Sequence, residues 1–495
     1  VHRSNRDETD RAITRGSDFL QLDPADAPPG GLADWLARRL RDAIADGRLP
    51  VGARLPPTRT LAADLRVSRG VVTDAYQRLT DEGHLAGRGR AGTVVVAAPL
   101  TPPPAPAAPP TADPSHPDPF HGAPGADAFD ALRAAPARID LTPGVPDLSA
   151  FPRAAWQRAE RTVLRDLPAA ALGYGDPRGA PALRTAVADW LARNRGIRAD
   201  PAAIVITAGT AQALGLVARA LTAAGTRTVA VEDPGSLGAR QHLRHGAIAT
   251  PPVPVDADGV RVDRLRATAA PAVLLTPAHQ FPTGAVLSGP RRRDLLAWAA
   301  AGGLIIEDDY DAEHRYDRPP VPALRSLLTD RVFYAGSVSK LLAPALRTGW
   351  LLPPPAFLDA VIAEKRFADL GNAALPQLVL AELMATGAME RALRPLRTRH
   401  RRRRDTMIDA IRAHLPGAAV HGAAAGLHLT ITLHPRTDDT ALAAAALRRG
   451  VKVQPLSWHA QRPGPPGLVL GYAAATATDI TDGIAALGRA LKTLT

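Results

Sequence analysis

A stretch that cannot fold divides this chain. Between residues 97 and 127 Pro and Ala dominate, as in TPPPAPAAPPTADPSHPDPFHGAPG. Each Pro ring fixes φ and removes a backbone donor, so such a stretch stays extended and semi-stiff and buries no core. The 495 residues are also too many for one core. The division expected is an N-terminal arm at 1–29, a first domain at 30–98, a linker at 99–136 and a second domain at 137–495. Within the second, a large subdomain is expected at about 170–365 and a small one at about 366–495.

The net charge of +12 points toward nucleic acid only if it is localised. Arg supplies nearly all of it, because the chain has just four lysines, at Lys340, Lys365, Lys452 and Lys492. A generally basic surface is therefore an equal reading. No apolar run approaches the ~18 residues a membrane helix needs. Zero cysteines exclude disulfides, thiolate metal sites and cysteine nucleophiles. The histidines show no ligand spacing, so no metal is expected, and a soluble cytoplasmic protein is.

In the first domain Leu32, Trp35, Leu36, Leu40, Ala43 and Ile44 recur at helical spacing, with Gly47 placed to end the helix. TRTLAADL predicts a second, short helix. Arg66 and Val67 make a tight turn, and Ser68 is suited to cap a third helix, RGVVTDAYQRLTDEG. Two helices across so short a turn form a helix-turn-helix, whose second helix enters the major groove. HLAGRGRAGTVVV follows as a hairpin wing. Its GRGRAG matches the dinucleotide fingerprint G-x-G-x-x-G but leads into a strand and opens no helix, so a wing tip is the reading. Residues 30–98 hold eleven Arg against seven Asp or Glu, a modest local excess.

LADWLARRLRDAIADGRLPVGARLPPTRTLAADLRVSRGVVTDAYQRLTDEGHL resembles the GntR-type head over nearly its whole length, including G-R-L-P-x-G-x-R-L-P and V-S-R. That resemblance implies contacts to double-stranded operator DNA from Arg54, Thr58, Arg59, Ser68, Arg69, Gly70, Thr73 and Tyr76, with Arg88 and Arg90 on the wing. Tyr76 could equally be core.

The second domain alternates short apolar runs with amphipathic stretches, as in AIVIT before AQALGLVARAL. This predicts an α/β fold of βα units with a largely parallel sheet. In RVFYAGSVSKLLAPALRTGW a strand delivers Ser337 and Lys340, and Arg347 follows. Schiff-base chemistry needs a lysine whose amine can be neutral, with cationic and hydroxyl donors for a phosphate. GGLIIEDDYDAEHRY sets acidic groups at the end of a buried strand, where α/β ligands bind. A pyridinium nitrogen needs such a carboxylate, for which Asp308 is chosen, with Tyr310 donating to the ring hydroxylate. ITAGTAQALGL reads as strand, turn and helix start, a phosphate cradle of backbone N–H groups from Gly209, Thr210 and Ala211.

Together, TPGVPDLSAFPRAAW, YGDPRGAPALR, TPAHQFPTG, IIEDDYDAEHRY and SVSKLLAPALR resemble the fold type I aminotransferases, and more narrowly the body of MocR/GabR regulators. The resemblance implies pyridoxal 5'-phosphate held as a Schiff base by Lys340. It also implies a head-to-tail homodimer in which Tyr174 reaches the partner subunit's phosphate. Departures accompany it. Phe281 stands where the enzymes usually have Asn, and Ser236 stands at the ring-stacking position. The late strand LVLGYA lacks the arginine that grips a substrate carboxylate, leaving Arg240 and Arg462 as candidate substitutes. The dense run RTRHRRRRD, residues 397–405, reads as a solvated or dimer-facing helix or as a DNA phosphate contact. The function implied is a transcription regulator whose body senses the cofactor or an amine or amino acid through Lys340. The alternatives are a working aminotransferase with an accessory DNA-binding domain, and a repressor whose body only dimerises.

Overall fold

The computed structural model describes residue 20 and residues 22–89, 92–97, 119–311, 313–316 and 321–494. They form two compact units divided near residue 114. The first holds helices α1 (Leu32–Ala45), α2 (Thr58–Asp64) and α3 (Arg69–Asp81), then the hairpin β1 (Leu85–Gly87) and β2 (Thr93–Val95). Trp35, Leu36, Leu40 and Ile44 of α1 pack with Leu61 of α2 and with Val72, Ala75, Tyr76 and Leu79 of α3. The 3.6-residue spacing of these positions puts each set on one helix face. Between α2 and α3 the chain turns at Arg66 in a left-handed conformation (φ 54°). Ser68 Oγ then accepts the Val71 N–H at 3.4 Å to cap α3.

The second unit begins earlier than composition indicates. Residues 119–136 fall within the expected linker, yet helix α4 (Ala128–Ala134) lies there. Phe120, Ala128 and Leu132 are buried in the core of the small subdomain. These three apolar side chains outweigh the surrounding Pro and Gly. The next strand, β3 (Ile139–Asp140), pairs in parallel with β14 (Val451–Lys452), so the start of the second unit joins its C-terminal part.

The large sheet comprises β4 (Val205–Thr207), β5 (Val229–Asp233), β6 (Pro252–Asp256), β7 (Gly259–Val260), β8 (Ala272–Leu275), β9 (Leu304–Asp309), β10 (Val332–Ser337) and β11 (Gly349–Leu352). Their order is β4-β11-β10-β9-β8-β5-β6-β7. Pairing is parallel from β10 through β6 and antiparallel around β11 and at β7. The near-continuous burial of β5, β8 and β10 fits strands covered on both faces. The small sheet has the order β12-β13-β16-β15, with β12 (Ala419–His421), β13 (His428–Thr432), β15 (Gln454–Pro455) and β16 (Gly467–Gly471).

The arginine run lies in the helix Ala388–His414, and most of its charges are engaged inside the second unit. Arg399 and Arg403 reach the buried Asp147 at 2.7 and 3.0 Å. Arg401 donates to the Tyr316 carbonyl at 2.7 Å, and Arg404 lies over the Tyr316 ring, 5.0 Å from its centroid. No described helix is long and apolar enough to cross a membrane.

Candidate functional site

Parallel strands end together on one side of the sheet, and their C-terminal ends deliver the site. Asp308 closes β9 one residue before its end, Tyr310 follows it, and Ser337 ends β10. Lys340 comes three residues later and Arg347 precedes β11. These residues line one cavity of about 470 Å³ together with Thr210 and Ala211, a size suited to a cofactor and a small ligand.

Burial governs the chemistry of the cavity. Asp308 Oδ1 is buried with no hydrogen-bond partner. Burial pushes its carboxyl up to about 7, Asp309 adds to the shift, and Lys340 opposes it. The Lys340 amine is held below its ordinary range by burial, against the pull of Asp311 and Asp308. It donates to the Gly144 carbonyl, and a Cβ at Gly144 (φ +99°) would stand 3.0 Å from Nζ. The Tyr310 hydroxyl is raised well above its usual value by burial and donates to the His279 carbonyl at 3.0 Å.

The expected phosphate cradle falls at the start of the helix Thr210–Ala223, where the first N–H groups have no partner within the helix. Gly209 (φ +91°) makes the turn, and the Arg347 guanidinium lies 3.6 Å from where a Gly209 Cβ would be. Arg347 also donates to the Ala208 carbonyl. Guanidinium, helix start and the Ser337 hydroxyl line one cavity, a donor set that suits an anion. The orphaned Asp308 oxygen would suit a ring N–H, and the guanidinium with the helix start would suit a phosphate. The donor set fits pyridoxal phosphate.

Other expectations fall elsewhere. Arg240 donates to the Trp458 and His459 carbonyls at 3.3 and 3.4 Å, and Arg462 is paired with Asp233 at 2.9 Å. Neither lines the large cavity, so neither replaces the missing late-strand arginine. The reason is proximity: each has a closer internal partner. Tyr174 is 98% exposed and outside the cavity of its own chain. Histidines that show no sequence spacing are gathered by the fold, since His279, Asp311 and His428 offer ligand atoms within 4.8 Å of one another. Their hydrogen bonds read as an internal network, with His279 Nδ1 2.9 Å from Asp311 and His428 Nε2 3.1 Å from the Pro282 carbonyl.

Sequence reasoning missed several walls of the cavity. Phe129 and Arg133 come from α4, and Lys452 and Gln454 from β14 and β15. Only the fold joins these distant segments. Ser236 does line the cavity, but its Oγ caps the helix Leu237–His245, and Phe129 packs beside Gly238.

In the first unit Arg54, Arg59, Ser68, Arg69, Gly70 and Thr73 are exposed, as is Arg88 on the wing. Arg69 Nε donates to Thr58 Oγ at 3.3 Å, linking α3 to α2. Arg90 lies outside the described residues. Tyr76 is core: it is 5% exposed and its hydroxyl donates to the Pro56 carbonyl at 2.9 Å. Its place on the inner face of α3, in register with Val72 and Leu79, removes it from the DNA-facing set.

A winged helix-turn-helix followed by an aminotransferase-like α/β unit defines the class: a DNA-binding regulator built on an enzyme fold. Residues 32–95 match the gntR family of bacterial regulatory proteins, and residues 138–487 match the class I and II aminotransferases, a pyridoxal-phosphate-dependent family. The chain is 32% identical over 480 residues to the Rhizobium meliloti protein named as the probable rhizopine catabolism regulatory protein MocR, covering 93% of each. It is also 32% identical to the pyridoxine biosynthesis transcriptional regulator PdxR of Corynebacterium glutamicum, covering 90% of this chain and 92% of that one. The kynurenine aminotransferase of Pyrococcus horikoshii superposes with a TM-score of 0.68 at 26% identity, covering 74% of this chain and 93% of that one. The chain belongs to the MocR/GabR family of GntR-type transcription regulators.

Proposed function

We propose that this regulator binds operator DNA through α3 and its wing, and that the second unit holds pyridoxal phosphate on Lys340 and senses the cofactor itself or an amine. The observation that carries this reading is the buried, unpartnered Asp308 oxygen in the same cavity as Lys340 and Arg347. A unit that only dimerised would have no use for an uncompensated carboxylate, which is costly to bury. When bound, the cofactor supplies an electrophilic carbon and an electron-withdrawing ring. Asp308 would hold the ring nitrogen, Tyr310 the ring hydroxylate, and Arg347, Ser337 and the Gly209–Ala211 turn the phosphate. Lys340, its amine held below the ordinary range by burial, would act as the nucleophile.

Two features support a regulator over an efficient enzyme. No arginine projects from β16, and the candidate substitutes are engaged elsewhere. An unpaired substrate carboxylate is poorly oriented, and orientation supplies much of the rate. A head-to-tail homodimer is supported by exposed apolar groups at Leu172, Tyr174, Phe367 and Leu370. Gly371, next to them, lies beside Asp176 and Pro177. In that arrangement Tyr174 of each subunit completes the other's phosphate site. The signal must favour one DNA-binding state over the other to act at all.

The test pairs operator affinity, with and without cofactor and amine, with steady-state keto-acid production across an amino-acid panel. We expect cofactor-dependent operator binding with slow or no turnover. Brisk turnover with operator affinity indifferent to both ligands would overturn this reading in favour of an enzyme. Lys340→Ala should abolish the borohydride-fixed cofactor adduct. Fixation remaining on Lys365 or Lys452 would remove Lys340 from the role.

A further inference from the structure

The cavity holds one buried cation that the cofactor reading does not use. Lys340, Arg347 and Asp308 belong to that reading, and Asp311 is hydrogen-bonded to His279. What remains in the walls is Lys452 against Asp140, because the Arg133 guanidinium is largely exposed and already paired with Asp130. His428 and His459 add no charge, since burial pushes both imidazoles down to about 3.

Lys452 is only 6% exposed, yet its ammonium is loosely neutralised. Its Nζ donates to the Arg133 carbonyl at 3.2 Å, and the nearest Asp140 oxygen is 3.8 Å away. The Asp140 carboxylate already accepts the Thr142 N–H at 2.9 Å and the Thr142 hydroxyl at 2.6 Å. A desolvated cation with so distant a counter-ion favours a further anion. Gln454, two residues along on β15, lines the same cavity. Its Oε1 lies 3.2 Å from His459 Nε2. Gln454 also pairs across the sheet with Val469, in the late strand that lacks an arginine. β15, beside the apolar strand, thus brings a polar group, and β14 brings the charge.

We propose that Lys452, with Gln454 beside it, is an anion subsite that holds the carboxylate of an amino-acid effector whose amine faces Lys340. The effector class is then an amino acid and not a plain amine. This rests on the reading of Lys340 as the cofactor lysine. It also makes α4, the first helix after the linker segment, a wall of the effector site.

The test uses the full-length, cofactor-loaded protein and two probe series: ω-amino acids from glycine to 5-aminopentanoate, and n-alkylamines of matched length. Affinities are read by titration calorimetry. At the best-fitting length the amino acid should bind about 10-fold or more tightly than its matched amine, the gain of a charged hydrogen bond. Lys452→Gln should bring that ratio near one, Lys452→Arg should keep part of it, and Gln454→Leu should lower it. Equal binding of both series to the wild type overturns the proposal. So does a Lys452→Gln protein that melts earlier but keeps the full ratio, which would make Lys452 only a cap for the end of α4. If neither series binds but n-alkanoates do, and Lys452→Gln loses them, the subsite stands and the Lys340 reading falls.

Discussion

Asp308→Asn should move stability and cofactor affinity in opposite directions. In the free protein the Asp308 carboxyl is raised from 3.8 to about 7, chiefly by burial. An acid whose folded pKa exceeds its unfolded one binds more protons when folded, so stability falls as pH rises from about 4 to about 7 and is flat above. A shift of about three units corresponds to a ceiling of about 4 kcal/mol. Partial exposure of the residue screens this, and about 1–3 kcal/mol is expected at pH 8. Asn keeps the shape and removes the charge, so the cofactor-free variant should be more stable than the wild type at pH 8 and little different at pH 4. Cofactor binding should weaken, because a charged hydrogen bond to the ring nitrogen becomes a neutral one. The loss is about 1–1.5 kcal/mol, or roughly 5- to 13-fold in Kd. Denaturant unfolding of the cofactor-free protein across this pH range, beside fluorescence titration with pyridoxal phosphate, reads both. A variant no more stable at pH 8, or one with unchanged cofactor affinity, would refute the reasoning.

In the head, Arg69→Ala should cost about 1–3 kcal/mol of operator affinity and relax specificity if Arg69 makes a bidentate base contact. Gel-shift titration at fixed salt checks this, and unchanged affinity excludes the contact. Tyr76→Phe should instead lower head stability by about 1 kcal/mol through the lost bond to Pro56. A change in sequence preference would return Tyr76 to the interface. Arg195 Nε lies 2.5 Å from Asp309 Oδ2, and both side chains are 1% exposed. Arg195→Met should therefore destabilise the second unit by about 3–5 kcal/mol, with Asp309→Asn in the same chain restoring part of it. Unfolding midpoints of the single and double variants decide, and an additive result would show the pair uncoupled.

The sequence by itself determined the two units, and the fold brings most of the cofactor residues expected from it into the main cavity. Helical spacing in the head, the cap at Ser68, and strands ending in Asp308 and Ser337 are local patterns, legible because backbone geometry repeats every 3.6 or 2 residues. Motifs that bind phosphate through a turn and a helix start are local for the same reason. Only the tertiary structure decided what depends on closure. It placed Tyr76 inward, tied Arg240 and Arg462 to nearer partners, and folded residues 119–136 into the core. It also set Lys452 beside Arg133, 319 positions away in the chain, across the β3–β14 pairing. Burial and partner choice are sums over distant segments, so a charge that reads as free in sequence can be paired in the fold, and an ordinary lysine can become a wall of the site.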